Sequence, residues 1–207
     1  DVAKHYLSLY WGGAMTGRFL GAVALNKTMA FARKLGSMLA IGAAMFALLV
    51  LLNATGPVSI VDFWPMAVLI AGNISVALLA RGDAGRAMGL FALVAMVLLG
   101  GVMAGNGPVA LWSIIAIGLF NSILWSNIFT LSIDDLGQDT AQGSSLLIMM
   151  ILGGALIPIA QGLMIDALKG ADLPEVFSMK VSFLLPVTCY AYLVWYGLRG
   201  STLRNNA

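Results

Sequence analysis

The chain is dominated by long, unbroken apolar runs, such as "LAIGAAMFALLVLLN" at residues 39–53 and "LFALVAMVLLGGVMAG" at 90–105. A helix that crosses a bilayer takes about 20 apolar residues. Segments near 6–25, 36–54, 60–80, 87–105, 108–131, 144–165 and 178–198 approach or reach that length, about seven spans in all. The runs are continuous, whereas a membrane β-barrel alternates polar and apolar residues with period two. Helices are therefore expected. Composition agrees: 60% of the 207 residues are hydrophobic and only 10% are charged, where a soluble domain carries about 25% charge. The mean hydropathy is +0.95. The expected fold class is all-α, a polytopic helical membrane protein with the lipid bilayer as its solvent.

Charges gather in the breaks between runs. Lys27, Arg33 and Lys34 follow the first span, Arg81 and Arg86 the third, and Arg199 and Arg204 the last. If every segment crosses once, these residues and Arg18 share one side, against Lys4, Lys169 and Lys180 on the other. The positive-inside rule then puts the N-terminal end outside and the C-terminus in the cytoplasm, in a multi-pass protein of the cytoplasmic (inner) membrane. The loop "SIDDLGQDTAQG" would be cytoplasmic yet holds Asp134, Asp135 and Asp139. Acidic residues weigh little in the rule, so the topology stands.

Other function classes have little to be built from. A net charge of +2 gives no electrostatic footprint for nucleic acid. The single cysteine, Cys189, excludes an internal disulfide, and the single histidine, His5, leaves no basis for a zinc cluster or a histidine-based nucleophile. No G-x-S-x-G, H-E-x-x-H or Walker loop is present. No enzyme activity, metal site or organic cofactor is expected. The opening "DVAKHYLSLYWGG" lacks a starting Met and a signal-peptide layout, and reads as a cut inside a longer protein.

Within the spans, polar and small residues fall on faces. Gly13, Gly17 and Gly21 recur every four residues, a stripe that lets another helix approach closely, and packing is its expected role. Tyr6 and Tyr10 extend that face: Tyr6 reads as an interfacial anchor, and Tyr10 is open between cavity lining and anchoring. Arg18 lies near the end of the span, where it either snorkels to the interface or pairs with an acid of the 134–139 loop.

In the fifth span, "NSILWSNIF", Asn121, Ser122, Trp125, Ser126, Phe129 and Ser132 fall within an arc of about 140° at 100° per residue. Asn127 falls outside and is expected to hydrogen-bond a neighbouring helix. An amide beside an indole suits a sugar: the amide takes hydroxyls, and the flat ring stacks on the C–H face of a pyranose. Inter-helix glue explains the same residues equally well. In the sixth span Gly143, Ser144, Leu147, Gly154, Pro158, Gln161 and Gly162 share a side. Gly153, Gly154 and Pro158 loosen or bend the helix there, a trait of transporters near a midplane site. Asp166 is expected at the interface. The third span holds Asp62 and Asn73, the fourth almost no polar side chain, and both are expected at the periphery, facing lipid.

Two stretches resemble a known family. They are "YWGGAMTGRFLG" (Tyr10 to Gly21) and "LFNSILWSNIFTLSIDDLGQDTAQGSSLLIMMILGGALIPIAQG" (Leu119 to Gly162). The G-R-F-x-G ending of the first span, L-G-Q-D-T at 136–140, G-S-S at 143–145 and G-G-A at 153–155 carry the likeness. The chain resembles the C-terminal half of the fucose:proton symporter family of the major facilitator superfamily, in its glucose/galactose porter branch, over 1–55 and 107–200.

The resemblance implies two six-helix halves with a hexose between them near the midplane, moved by alternating access coupled to a proton or to sodium. The first span would be the family's eighth and the last three its tenth to twelfth. Residues 1–207 would form the C-terminal transmembrane domain, with 58–105 as an inserted hydrophobic hairpin. The partners implied are the sugar, the bilayer and the N-terminal half of the same transporter, which would hold the titrating carboxylates. This piece alone would not transport. Asn121, Ser122, Trp125, Gln161 and Tyr10 would meet the sugar. Gly13, Gly17, Gly21, Arg18, Gly153, Gly154, Pro158, Asp134 and Asp135 would pack or gate. One departure concerns Trp125-Ser126-Asn127, where the family commonly has aromatic-Pro-Thr. Without that proline a straighter helix is expected.

Overall fold

The computed structural model describes residues 2–54 and 63–204, with side chains for 4–54 and 63–202. Asp62 and the first residues of the proposed hairpin, 58–62, lie outside the described residues. The described chain is helical throughout its apolar runs: α1 (Val2–Ala24), α2 (Phe31–Asn53), α3 (Trp64–Leu79), α4 (Ala84–Ala104), α5 (Pro108–Asn121), α6 (Leu124–Ile133), α7 (Thr140–Met149), α8 (Gly153–Gly170), α9 (Glu175–Ser182), α10 (Leu184–Trp195) and α11 (Ser201–Arg204). Described residues include no strand. Among the described residues, five helical stretches are long and apolar enough to cross a bilayer: Phe31–Asn53, Ala84–Ala104, Pro108–Ile133, Gly137–Gly170 and Glu175–Gly200. The fold is thus a polytopic all-α membrane fold. Two of the expected spans fall outside that set. α3 has 16 residues, about 24 Å of helix against a hydrocarbon core of about 30 Å. α1 is long enough but carries Lys4, His5 and Arg18.

Local chemistry explains where helices start and stop. Asp83 caps α4, its carboxylate accepting the Arg86 N–H at 2.7 Å. Gly107 takes φ +52°, which turns the chain sharply into Pro108 at the start of α5. Ammonium groups meet the carbonyl ends of helices, where the dipole favours a cation. Lys34 Nζ donates to the Ala24 carbonyl at the end of α1, 2.9 Å away. Lys180 Nζ donates to Gly105 O and Asn106 Oδ1, 2.9 and 2.8 Å away, beyond the end of α4. The expected sorting of loops into two ends is visible too. Lys27, Asp83, Asp134 and Ser201, in or beside four separate breaks, line one polar cavity of about 310 Å³ together with Thr130 of α6.

α4 is the centre of the bundle, which corrects the expectation that it faces lipid. It packs against α5, α10, α6 and the stretch that follows α10. Ala87, Phe91, Ala95, Leu99 and Val102 are buried along one stripe, and Phe91 meets Phe120 of α5 with ring centroids 5.7 Å apart. Lipid tails are as apolar as a protein core, so a helix without polar groups carries no compositional mark of which one it faces. The mark lies in its small residues. Gly85 and Gly89 of α4 cross Gly197, in the π-helical turn Tyr196–Gly200. A methyl group on Gly197 would lie 2.5 Å from the Gly89 nitrogen and 2.7 Å from the Gly85 carbonyl.

α8 is the reverse case: none of its residues is buried. It packs against α9 and touches α10.

The Gly197 crossing sets a stability test. Gly197→Leu is expected to destabilise the protein by about 1–3 kcal/mol through overpacking. A fall in Tm of the detergent-solubilised protein checks it, with Gly162→Leu on the open face of α8 as the near-neutral control.

Candidate functional site

The fifth span does not run straight. α5 ends at Asn121 and α6 begins at Leu124, with a turn at Ser122 and Ile123 between them. Ile123 sits at φ −102°, ψ −7°, off the helical basin. The missing proline therefore does not give a straight helix. An interruption inside a membrane is tolerated where nearby groups satisfy the backbone, and here two side-chain donors converge on one carbonyl. Ser122 Oγ donates to Leu119 O at 2.7 Å, and Asn73 Nδ2 from α3 donates to the same oxygen at 3.4 Å.

The glycine stripe of α1 fits against this turn. A methyl group on Gly17 would lie 2.5 Å from the Leu119 carbonyl oxygen and would collide with Ser122 Oγ. One on Gly21 would collide with Ile123, and one on Gly13 would come within 3.3 Å of Met66 and 3.5 Å of Leu119. The stripe is a packing seam whose counterpart is the turn in the fifth span.

On the α5 side of the turn, three helices bring polar groups together. The Tyr190 hydroxyl of α10 donates to Asn121 Oδ1 at 2.6 Å. Tyr10 of α1 packs on the same helix, α5. Its ring and backbone border Gly118, where a methyl group would lie 2.8 Å from either. It also meets Trp11 edge to face at 5.5 Å. Asn121, Tyr10 and Tyr190 are all half-buried. Tyr190 escaped the sequence reading, although a phenol inside the apolar run 184–195 needs a partner for its hydroxyl.

The turn also redistributes the polar residues of the span. A count at 100° per residue assumes one continuous helix, and the chain leaves that geometry at Ile123. Ser122 is 7% exposed and packs inward, while Trp125 is 43% exposed. Ser126 is exposed and Phe129 half-buried. Asn127 is 1% exposed, yet among the described residues neither Nδ2 nor Oδ1 has a hydrogen-bond partner, and the expected bond to a neighbouring helix is not found there.

The remaining candidates stand apart. Gln161 Nε2 of α8 donates to Ser182 Oγ of α9 at 3.0 Å, and Ser182 in turn donates to Met179 O at 2.7 Å. A methyl group on Gly153, Gly154 or Gly162 would meet nothing within 4 Å. Pro158 lies inside α8, which runs on through it, and a 3₁₀ stretch at Met150–Leu152 separates α7 from α8. Arg18 is exposed on α1 and makes no ion pair among the described residues, which leaves the snorkelling alternative. Asp134 and Asp135 lie exposed at the end of α6, with Asp135 at φ +61°.

Sequence comparison adds relatives to this geometry. The glucose/galactose transporter of Brucella abortus is 32% identical over 199 residues, covering 96% of this chain and 33% of that protein. The putative glucose/galactose transporter of Helicobacter pylori is 30% identical over 205 residues, covering 99% of this chain and 36% of its own. The L-fucose-proton symporter of Escherichia coli is 33% identical over 129 residues, 62% of this chain and 28% of that protein. The chain belongs to this family of transporters. It spans about a third of the length of the curated relatives it matches. All of these relatives are named as transporters, not enzymes. No family model and no solved structure matches the chain.

Two variants separate the seam from the polar cluster. Gly17→Val is expected to lower stability by about 1–3 kcal/mol, because the Leu119 carbonyl cannot retreat without disturbing the turn. Tyr190→Phe removes one inter-helix hydrogen bond, worth about 0.6 kcal/mol on average in a membrane. Parallel Tm measurements should rank Gly17→Val well below Tyr190→Phe.

Proposed function

We propose that this chain is the C-terminal transmembrane domain of a hexose transporter that works by cation-coupled symport and alternating access. In this reading the sugar, of the glucose, galactose or fucose class, lies against the turn in the fifth span. Trp125, exposed on α6, stacks on the C–H face of the ring. Asn121 uses Oδ1 to take the Tyr190 hydroxyl, which leaves its amide N–H groups to donate to sugar hydroxyls. Tyr10 and Tyr190 border the same position from α1 and α10. Ser122 acts from behind by supporting the Leu119 carbonyl, and Gln161 joins α8 to α9. A second half of the same protein completes the sugar path and carries the carboxylates that couple transport to a proton or to sodium. The protein sits in the inner membrane with its C-terminus in the cytoplasm, as the skew of Lys and Arg requires. Residues 58–105 are an insertion relative to the family, although α4, the second helix of that pair, has been built into the core.

The observation that carries this reading is the interrupted helix with a half-buried amide before the break and an exposed indole after it, in a chain whose relatives are named for sugars. Midplane sites in transporters are typically built on discontinuous helices.

Uptake of labelled hexoses by the full-length protein in membrane vesicles tests it, with and without a pH or sodium gradient. Sugar flux that follows one of the gradients is expected. No sugar-dependent flux or binding would favour a non-transporting subunit whose polar faces only join helices. Trp125→Ala is expected to raise the Kd for the transported sugar roughly tenfold, about 1.4 kcal/mol, at unchanged expression. Equal affinity in wild type and variant removes Trp125 from the site.

A further inference from the structure

The α2–α3 pair carries two cavities in line. The first, of about 320 Å³, lies at the end where α1 stops, α2 starts and α3 stops. It is lined by Lys34 and Arg81, with Met29, Phe31, Ala77 and Leu78 as its apolar wall. The stem of Lys27 passes Gly82 on the same rim, where a methyl group would lie 3.6 Å from its Cγ. None of the residues lining this cavity is acidic. Lys34 spends one N–H on the Ala24 carbonyl, 2.9 Å away, and keeps two. The Arg81 guanidinium offers a planar fork suited to a phosphate. Lys34 and Arg81 meet no carboxylate in this lining and attract an anion, while Lys27, on the rim, also borders the polar cavity of Asp83 and Asp134.

The second cavity, of about 240 Å³, is a groove between the same two helices, lined on α2 by Leu39, Gly42 and Phe46 and on α3 by Ala67, Ile70 and Ile74. Gly42 brings the helices close at its floor, where a methyl group would lie 3.0 Å from Ile70. At 1.5 Å per residue the groove runs from about 8 to about 18 Å along α2 from Lys34. Half of the hydrocarbon core is about 15 Å deep. A cationic cup at the membrane surface, continued by an apolar groove one leaflet deep, matches an anionic lipid in both charge and length.

We infer that this face of the α2–α3 pair is a binding site for an anionic phospholipid, whose phosphate sits among Lys27, Lys34 and Arg81 and whose acyl chain lies in the groove between α2 and α3. The inference does not depend on the sugar reading. Basic pockets between membrane helices recognise lipid headgroups in this way.

The test uses the full-length protein in detergent, titrated with phosphatidylglycerol, phosphatidylcholine or soluble glycerol phosphate, with bound lipid counted by native mass spectrometry. Arg81 is at φ +54°, so Arg81→Gly removes its charge and suits the backbone. Lys27→Gln removes a second, exposed charge, and Ala43→Phe fills the groove from an exposed lining position. Phosphatidylglycerol is expected to bind well ahead of phosphatidylcholine. Each charge removal should weaken it roughly fivefold, and Ala43→Phe should weaken it with both charges intact. Equal binding of the two lipids, or phosphatidylglycerol binding that none of the variants changes, overturns the site. Soluble glycerol phosphate that binds as tightly as the lipid replaces it with a free-phosphate site. If the groove is covered by another part of the protein, no lipid is retained, which overturns it as well. Correct folding of each variant is read from its Tm without added lipid.

Discussion

The meeting of Gly17 with the Leu119 carbonyl is the contact on which the rest of the bundle depends. Hydrocarbon offers no water to a helix that breaks, so the fifth span can turn at Ser122 and Ile123 only where protein groups surround the exposed backbone. Ser122 and Asn73 supply the donors, and the glycine stripe lets the whole of α1 lie against the carbonyl. Any side chain at Gly17 would lift α1 off the turn. With α1 seated in this way, Tyr10 lies against Gly118, Asn121 stands before the break and Trp125 is exposed after it.

Much of this was legible in the sequence, for a physical reason. Apolar runs of spanning length have only one soluble-in-lipid answer, and charge in the breaks marks the ends. The four-residue spacing of Gly13, Gly17 and Gly21 declares a seam without naming its partner. Other features were hidden because the signals for them are degenerate. The turn at Ser122 has neither glycine nor proline to announce it, so the angular count carried Ser122 to the same face as Trp125. α4 looked like a lipid-facing helix because apolar side chains serve lipid and core alike, and its pair of glycines at 85 and 89 was the better guide.

The two helices that looked most and least interesting exchanged places. α8, rich in glycine and with a proline in its middle, has no buried residue among those described, and its side-chain hydrogen bonds from Gln161 and Lys169 run to α9. α4, nearly devoid of polar side chains, contacts most of the bundle. In a membrane, then, a polar stripe marks where something polar must be met, and a small-residue stripe marks where helices meet each other. The second kind of mark located the core here.

The π-helical turn at Tyr196–Gly200 gives the end of the chain a rotational memory. A π turn holds one residue more than an α turn of the same height, so everything after it is rotated by about 100° relative to a regular helix. Gly197, inside the turn, meets Gly85 and Gly89, and Ser201, just after it, meets Gly85 as well. Length, and not only identity, is thus constrained in this stretch. Losing one residue from it would leave every side chain chemically intact and turn the last one toward the wrong neighbour.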